Sequence, residues 1–178
     1  METTETRLRS LPAPERRALS KLLQRVRRPE PFTRDAVAGW IAGDVRWADV
    51  EGIPDALIRT WSQTGETLAR GGSYASAAQV FGYLAAIDPA EPGHHLGLGW
   101  VLLEQGEPAR ARRSFARAAA RHGADLGAVA GQVLCLLALG EHDAALDLVP
   151  RALEADPNGT SGLTRRMALE VRAILAEG

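Results

Sequence analysis

Two adjacent histidines are the residues in this sequence that could most readily hold a metal ion. His94 and His95 carry imidazole rings, the commonest metal ligands in proteins. Neighbouring residues of a helix point about 100° apart, so the two rings cannot bind one ion together. We therefore expect both to be residues near the surface at the start of a helix. We predict no metal site and no cofactor.

One thiol could in principle act as a nucleophile. Cys135 is the only cysteine, and it lies in the apolar run Leu134–Leu137. A reactive cysteine needs a base or a positive charge nearby, and no His or Asp falls close to it in the pattern. We expect a buried, inert thiol. A lone cysteine also excludes an intramolecular disulfide and a multi-cysteine zinc cluster, which favours a reducing compartment.

Two further patterns have weak chemical meaning. The string Gly97-Leu98-Gly99 weakly resembles a phosphate-binding loop. It follows no predicted strand and lacks a following Lys-Ser or Lys-Thr pair, so close helix packing is the better interpretation. Arg113, Arg117 and Arg121 form a stripe at helical spacing, either a solvated convex face or a contact for a partner or nucleic acid. We favour the solvated face. With no acid/base pair or nucleophile to assemble, an enzyme is the weakest of the functional classes.

The elements that carry these residues are predicted to be helices. The chain has 178 residues, a net charge of −1 and only 5% aromatic residues, typical of a soluble globular domain. Valine and isoleucine never alternate in runs, and alanine, leucine, arginine and glutamate dominate, so we predict an all-α fold. No apolar run is long enough to span a bilayer, and the start lacks a secretory signal pattern. We expect a cytoplasmic protein that neither inserts into membranes nor binds nucleic acid.

The N-terminal segment differs in charge from the rest of the chain. Residues 1–28 contain eight basic and three acidic residues, giving +5, and the remainder is therefore −6. A short apolar stripe lies among the basic residues, and Pro29-Glu30-Pro31 ends the helix that it predicts. We predict that residues 1–32 form a basic arm, flexible or forming a homodimer, ahead of a folded domain at 33–178. The stripe comprises Leu19, Leu22, Leu23 and Val26.

A regular sequence repeat organises the folded part. Glycines recur at 72, 106 and 140, alanines at 77, 111 and 145, and a large apolar residue at 81, 115 and 149. Each unit is interpreted as two helices, with glycine at the end of the first and the small residue where the helices cross. Pro150 is expected to kink or fray the last of them. The predicted helices cover 57–70, 75–87, 92–105, 109–121, 126–139 and 143–155, with a capping helix at 163–177.

This pattern resembles the tetratricopeptide repeat (TPR), with repeats at about 57–90, 91–124 and 125–158. Shorter strings carry a narrower resemblance: Gly52-Ile53-Pro54, Gly72-Ser73-Tyr74 and Leu96-Gly97-Leu98-Gly99. They are similar to the class II chaperones of type III secretion, which have a short N-terminal helix, three TPR units and a capping helix. The expected fold is therefore a TPR solenoid of three repeats with an N-terminal helical segment and a C-terminal cap.

The resemblance also implies a function. Such chaperones hold hydrophobic translocator proteins in the bacterial cytoplasm and cradle an extended segment of them in the concave groove of the first helices. The chain departs from the family at Ser62, Glu66 and Ala69, where aromatic residues are usual. A generic TPR adaptor is the alternative. The groove positions carried over are Arg59, Ser62, Glu66, Ala69, Tyr74, Leu96, Trp100, Leu103, Glu104, Ala130, Leu134 and Leu137.

The other tryptophans are assigned to packing. Trp40, Trp47 and Trp61 are expected in the core between the N-terminal segment and the first repeat, since aromatic rings bury large areas. Only Trp100 falls on a groove position, where the alternatives of ligand contact and packing stay open.

Overall fold

A computed structural model of the chain describes residues 45–122 and 125–177, and within these ranges the secondary structure is helical with no strand. The predicted all-α class is confirmed, and each repeat helix ends within two residues of its predicted limits. The arm at 1–32, its boundary with the next segment and Trp40 lie outside the described residues. The helices are α1 (Trp47–Val50), α2 (Asp55–Arg70), α3 (Tyr74–Ile87), α4 (Pro92–Glu104), α5 (Pro108–His122), α6 (Leu126–Ala138), α7 (His142–Ala155) and α8 (Gly162–Glu177).

The chain divides into two compact units, Met1–Pro54 and Asp55–Gly178. In the described part of the first unit, α1 is a single turn held by an ion pair of 2.6 Å between Arg46 and Asp49. The turn closes at Gly52, whose φ of 65° lies in the left-handed region. Trp47, predicted to be a core residue, is only half-buried.

In the second unit, the glycine of each repeat ends the first helix in the same way. Gly72, Gly106 and Gly140 have φ values of 76°, 75° and 75°. After each glycine, the next backbone N–H donates to a carbonyl five residues back, for example Glu107 to Leu102 at 2.9 Å. This is the Schellman arrangement, which satisfies carbonyls at the helix end and favours glycine. The regular glycine spacing therefore marks three structurally equivalent turns.

The helices of the second unit stack as a TPR solenoid. The first helices of the repeats, α2, α4 and α6, contact one another in series, and α8 continues this layer. Each second helix packs against both its own partner and the next first helix: α3 lies against α2 and α4, and α5 against α4 and α6. The last repeat differs from this arrangement. The helix that follows it, α8, packs mainly against α6 rather than against the second helix of the repeat, α7.

Phenylalanine rings pack between the first helices of neighbouring repeats. An ideal Cβ atom built on Gly99 would lie 2.7 Å from the ring of Phe115, and one built on Gly131 would lie 2.5 Å from it. The ring thus fills a slot between α4 and α6 that only glycine leaves open. Gly65 and Gly97 enclose Phe81 in the same way. The close-packing interpretation of the two glycines around Leu98 agrees with these contacts.

The third repeat uses different apolar residues at the corresponding positions. Val149 stands one repeat after Phe115, and Val133 stands one repeat after Gly99. Both belong to, or pack against, one buried cluster with Met167 of the capping helix. Residue 149 is thus smaller than the phenylalanine of the earlier repeats, and residue 133 is larger than their glycine. The two changes compensate in volume, as a close-packed core requires.

The helix α7 continues through Pro150, so of the predicted kink or fraying the fraying does not occur. It runs from His142 to Ala155 with the proline inside it. A proline ring lacks the N–H that would bond the carbonyl of Leu146, four residues earlier. Leu146 itself is 38% exposed.

Candidate peptide-binding surface

The predicted groove residues of the first repeat form a polar stretch of surface. On α2, Arg59 and Glu66 are exposed, and Ser62 and Ala69 are half-buried. Their spacing of three or four residues places them on one face of the helix. Glu66 lies 3.9 Å from Arg70 in an exposed pair, which contributes little to stability. Tyr74, half-buried, begins the next helix.

The equivalent positions of the second repeat form an apolar strip. Leu96, Trp100 and Leu103 lie on α4 at spacings of four and three residues, and each is half-buried. They stand one repeat after Ser62, Glu66 and Ala69, so they occupy the same face one layer further along. The first-helix surface therefore changes from polar on α2 to apolar on α4.

The core beneath this strip holds it in place. The indole of Trp100 meets the ring of Phe115 edge to face, with centroids 5.0 Å apart and planes at 72°. Leu96 and Leu103 pack against the same cluster, which includes Phe115 and Cys135. Such aromatic pairs contribute about 0.5–1.5 kcal/mol beyond the buried area. The indole therefore packs on the core and keeps one part exposed, and contact of that part with a ligand stays a prediction.

The equivalent residues of the third repeat are largely covered. Ala130 is 0% exposed and Leu134 is 5% exposed, so neither offers surface to a ligand in this structure. Ala130 belongs to the same buried cluster as Met167 of α8, and the half-buried Leu137 packs against that cluster, as does Val171 of α8. The capping helix thus lies over the part of α6 where the sequence predicts the groove to continue.

An ion pair links the capping helix to the second repeat. Arg166 on α8 donates to Glu104 at the end of α4, with Nη1 and Oε1 3.0 Å apart. The pair joins α4 and α8, and both of these helices contact α6. The sequence predicts that Glu104 lines the groove, whereas here its carboxylate is paired within the chain. The sequence does not predict a role for Arg166. The pattern of the capping helix indicates packing only, and the partner, Glu104, lies far from Arg166 in the sequence.

The two histidines are buried, which corrects the expectation that they lie near the surface. His94 and His95 are each 4% exposed, because the start of α4 is enclosed rather than open to solvent. Nε2 of His95 lies 3.2 Å from the carbonyl oxygen of Pro89, and Nε2 of His94 lies 4.0 Å from a carboxylate oxygen of Asp88. Burial lowers the pKa of His94, and this outweighs the opposing charges of Asp88 and Glu91.

Acid is expected to destabilise the protein through His94. Because its pKa is lowered on folding, the unfolded chain binds more protons once the pH falls below about 6.5. This contribution to stability is therefore complete above that pH and is lost as the pH falls. We expect His94→Gln to reduce the loss of unfolding free energy between pH 7.5 and 5.5, by at most about 1.4 kcal/mol per pH unit. Urea titrations at both pH values, with the exposed His142→Gln as control, measure it; equal pH dependence in all three proteins would refute it.

The thiol of Cys135 is 0% exposed, and burial raises its pKa to about 12, with Arg112 opposing. A thiol in this state is inert near neutral pH. Within residues 45–122 and 125–177, no group of three or more histidine, cysteine or acidic residues could hold a metal ion. None of the helices described is both long and apolar enough to cross a membrane.

Comparisons with known proteins agree with this architecture. Residues 96–160 match the family model for the tetratricopeptide repeat. No curated protein matches the sequence. The Yersinia enterocolitica type III secretion chaperone SycD, solved with a peptide of the translocator YopD, is 24% identical, with a TM-score of 0.64 over 71% of this chain and 98% of that one.

Two other solved structures share the fold. A type III secretion complex from Aeromonas hydrophila is 18% identical, with a TM-score of 0.72 over 81% of this chain and 97% of that one. The first TPR of Spaghetti (RPAP3), bound to an HSP90 peptide, is 18% identical, with a TM-score of 0.60 over 67% of this chain and 93% of that one. The protein described here is a TPR solenoid, and it shares this fold with SycD and with the first TPR of RPAP3.

Proposed function

We propose that this protein is a type III secretion chaperone that binds an extended, hydrophobic segment of a translocator protein and keeps it soluble in the bacterial cytoplasm before export. The observation that carries the proposal is the apolar strip of Leu96, Trp100 and Leu103 on the first-helix layer. Each of these side chains is half-buried, so it is anchored by the core and still presents apolar surface. A translocator peptide is bound to SycD, which shares this fold.

The shape and chemistry of the strip suit an extended peptide. A solenoid exposes a continuous row of first helices, and a chain lying across them can place alternate side chains between successive helices. Aromatic anchors such as Trp100 commonly dominate binding energy at such surfaces. The polar face of α2, with Arg59 and Glu66, would then hold the more polar end of the segment, and α8 would limit the site beside α6.

A generic TPR adaptor is the second candidate. It is favoured by the polar residues Ser62 and Glu66 and the small Ala69, at positions where the chaperone family usually has aromatic residues. The RPAP3 domain shows that the same fold binds a hydrophilic peptide in another protein. The two candidates differ in ligand chemistry, because the chaperone needs an apolar segment and the adaptor does not.

Co-expression tests the proposal directly. The full chain is produced together with a hydrophobic translocator encoded in the same genome, and the soluble fraction is purified by a tag on the chaperone candidate. We expect the translocator to be soluble and to copurify only when this chain is present. Peptides that tile the bound translocator are then titrated by calorimetry, with the HSP90 peptide as a hydrophilic control. A translocator that stays insoluble, or a preference for the hydrophilic peptide, would favour the adaptor instead.

A further inference from the structure

The outer face of the last repeat carries leucines that have no counterpart in the interior repeats. Leu146 and Leu153 on α7 are 38% and 44% exposed. Their spacing of seven residues, with the exposed Pro150 between them, aligns all three along one side of the helix. We call this line of Leu146, Pro150 and Leu153 the α7 strip.

The interior repeats show what these positions normally contact. The residues one and two repeats before Leu146 are Arg112 and Ala78, and those before Leu153 are Ala119 and Ala85. All four are half-buried, and their helices pack against the first helix of the next repeat. Arg112, for example, donates to Glu141 of the following repeat at 2.7 Å. Interior positions that meet a neighbour are thus small or polar, and the terminal positions are larger and apolar.

The capping helix leaves the α7 strip uncovered. In the earlier repeats, the helix after the hairpin packs closely on the hairpin's second helix, but α8 packs mainly on α6. Exposed apolar side chains in line on a helix are a common feature of docking faces for a partner helix. These two side chains are enlarged in the third repeat, whose second helix is covered least by the helix that follows it, and this indicates a surface for a partner.

The charges beside the strip specify the partner. Asp143, Asp147 and Glu154 are exposed and lie four and seven residues apart, so they line one flank of the α7 strip. The exposed Arg151 lies among them on the same side of α7, so acidic residues outnumber basic ones there. We infer that the α7 strip docks a basic amphipathic helix of a partner protein, with the apolar stripe on Leu146 and Leu153 and lysines or arginines over the carboxylates.

The same geometry argues against an antiparallel pair of α7 helices from two copies of this chain. A symmetric pair of antiparallel α7 helices brings the same flank of each helix together. Asp143, Asp147 and Glu154 of one protomer would then face the same acidic flank of the other, and like charges at this distance repel. A helix with basic flanks has no such penalty.

Two designed peptides test the inference with the full chain. Both have about 18 residues and an identical leucine stripe, one with lysine flanks and one with glutamate flanks, since shorter helices are too unstable. We expect fluorescence anisotropy to show binding of the lysine peptide only, weakened by added salt. Leu146→Glu with Leu153→Glu should weaken binding by at least about tenfold, and Asp143→Lys with Asp147→Lys should transfer the preference to the glutamate peptide.

The control places the same substitution elsewhere. Leu169 on α8 is 67% exposed, so Leu169→Glu should leave both folding and peptide affinity unchanged. Circular dichroism of each variant separates lost binding from lost structure. No binding of the lysine peptide, equal binding of both peptides, or an equal loss with Leu169→Glu would overturn the inference. Self-association of the chain that Leu146→Glu abolishes would also overturn it, because the strip would then be a contact between copies. None of these outcomes depends on the translocator.

Discussion

Replacing Gly131 with alanine is expected to lower the free energy of unfolding by about 3 kcal/mol, at the upper end of overpacking effects. The added Cβ atom would lie 2.5 Å from the ring of Phe115. The ring has little room to retreat, because the backbone at Gly99 approaches the same ring edge, and a Cβ atom there would lie 2.7 Å from it. The clash must therefore be relieved by separating α4 from α6. Urea denaturation of the purified variant measures the loss.

A second substitution shows whether the ring causes this loss. Phe115→Leu alone is expected to cost about 1 kcal/mol, because it leaves a small cavity in a buried site. Combined with Gly131→Ala, it should remove the clash, so the double variant should be more stable than Gly131→Ala alone. If the losses of unfolding free energy in Phe115→Leu and Gly131→Ala simply add in the double variant, a clash with the Phe115 ring is not the cause of the loss at Gly131.

Gly82 supplies a control of opposite sign. It lies inside α3, and an ideal Cβ atom there meets nothing within 4 Å. Gly82→Ala should therefore stabilise the protein by about 0.5–1 kcal/mol, since alanine restricts the unfolded chain and favours helix. If Gly82→Ala lowered the free energy of unfolding as much as Gly131→Ala, the effect of both substitutions would come from replacing a helical glycine and not from the ring contact.

Truncating Trp100 is expected to weaken translocator binding by about 30-fold, close to 2 kcal/mol, as is usual for an aromatic anchor. The prediction depends on the proposed function, because the indole must meet the ligand on its exposed side. Trp100→Ala is titrated by calorimetry with the translocator peptide selected by co-expression. Since the indole also packs on Phe115, the thermal midpoint of the variant is measured alongside, and binding is compared well below it.

Two matched variants complete this experiment. Arg117 is exposed on α5, away from the first-helix layer, and Arg117→Ala should leave affinity unchanged because a solvated arginine contributes little. Glu66→Lys on α2 should alter the preference among charged peptides without altering folding. Equal losses with Trp100→Ala and Arg117→Ala would remove the strip on α4 from the binding surface. By contrast, Leu134→Glu should unfold the protein, because that side chain is buried.

Local periodic signals in the sequence determined most of the helical framework. Glycines at 72, 106 and 140 predict the ends of the first helices, and all three adopt positive φ values there. This works because a glycine in the left-handed region is a local requirement, satisfied by the few residues around it. The apolar surroundings of Cys135 likewise predict its burial, since a continuous apolar stretch of helix must be covered on every side.

Only the tertiary structure decided how the ends of the repeats are used. The position of α8 over α6, the pairing of Arg166 with Glu104 and the exposure of the α7 strip all depend on where one helix docks after the last repeat. The burial of His94 and His95 has the same origin, because it depends on neighbouring helices and not on residues beside them in sequence. Interior repeats constrain each other through identical interfaces, so their period predicts their packing. The capping helix α8 lies outside this period, so its docking depends on long-range fit that no local pattern records.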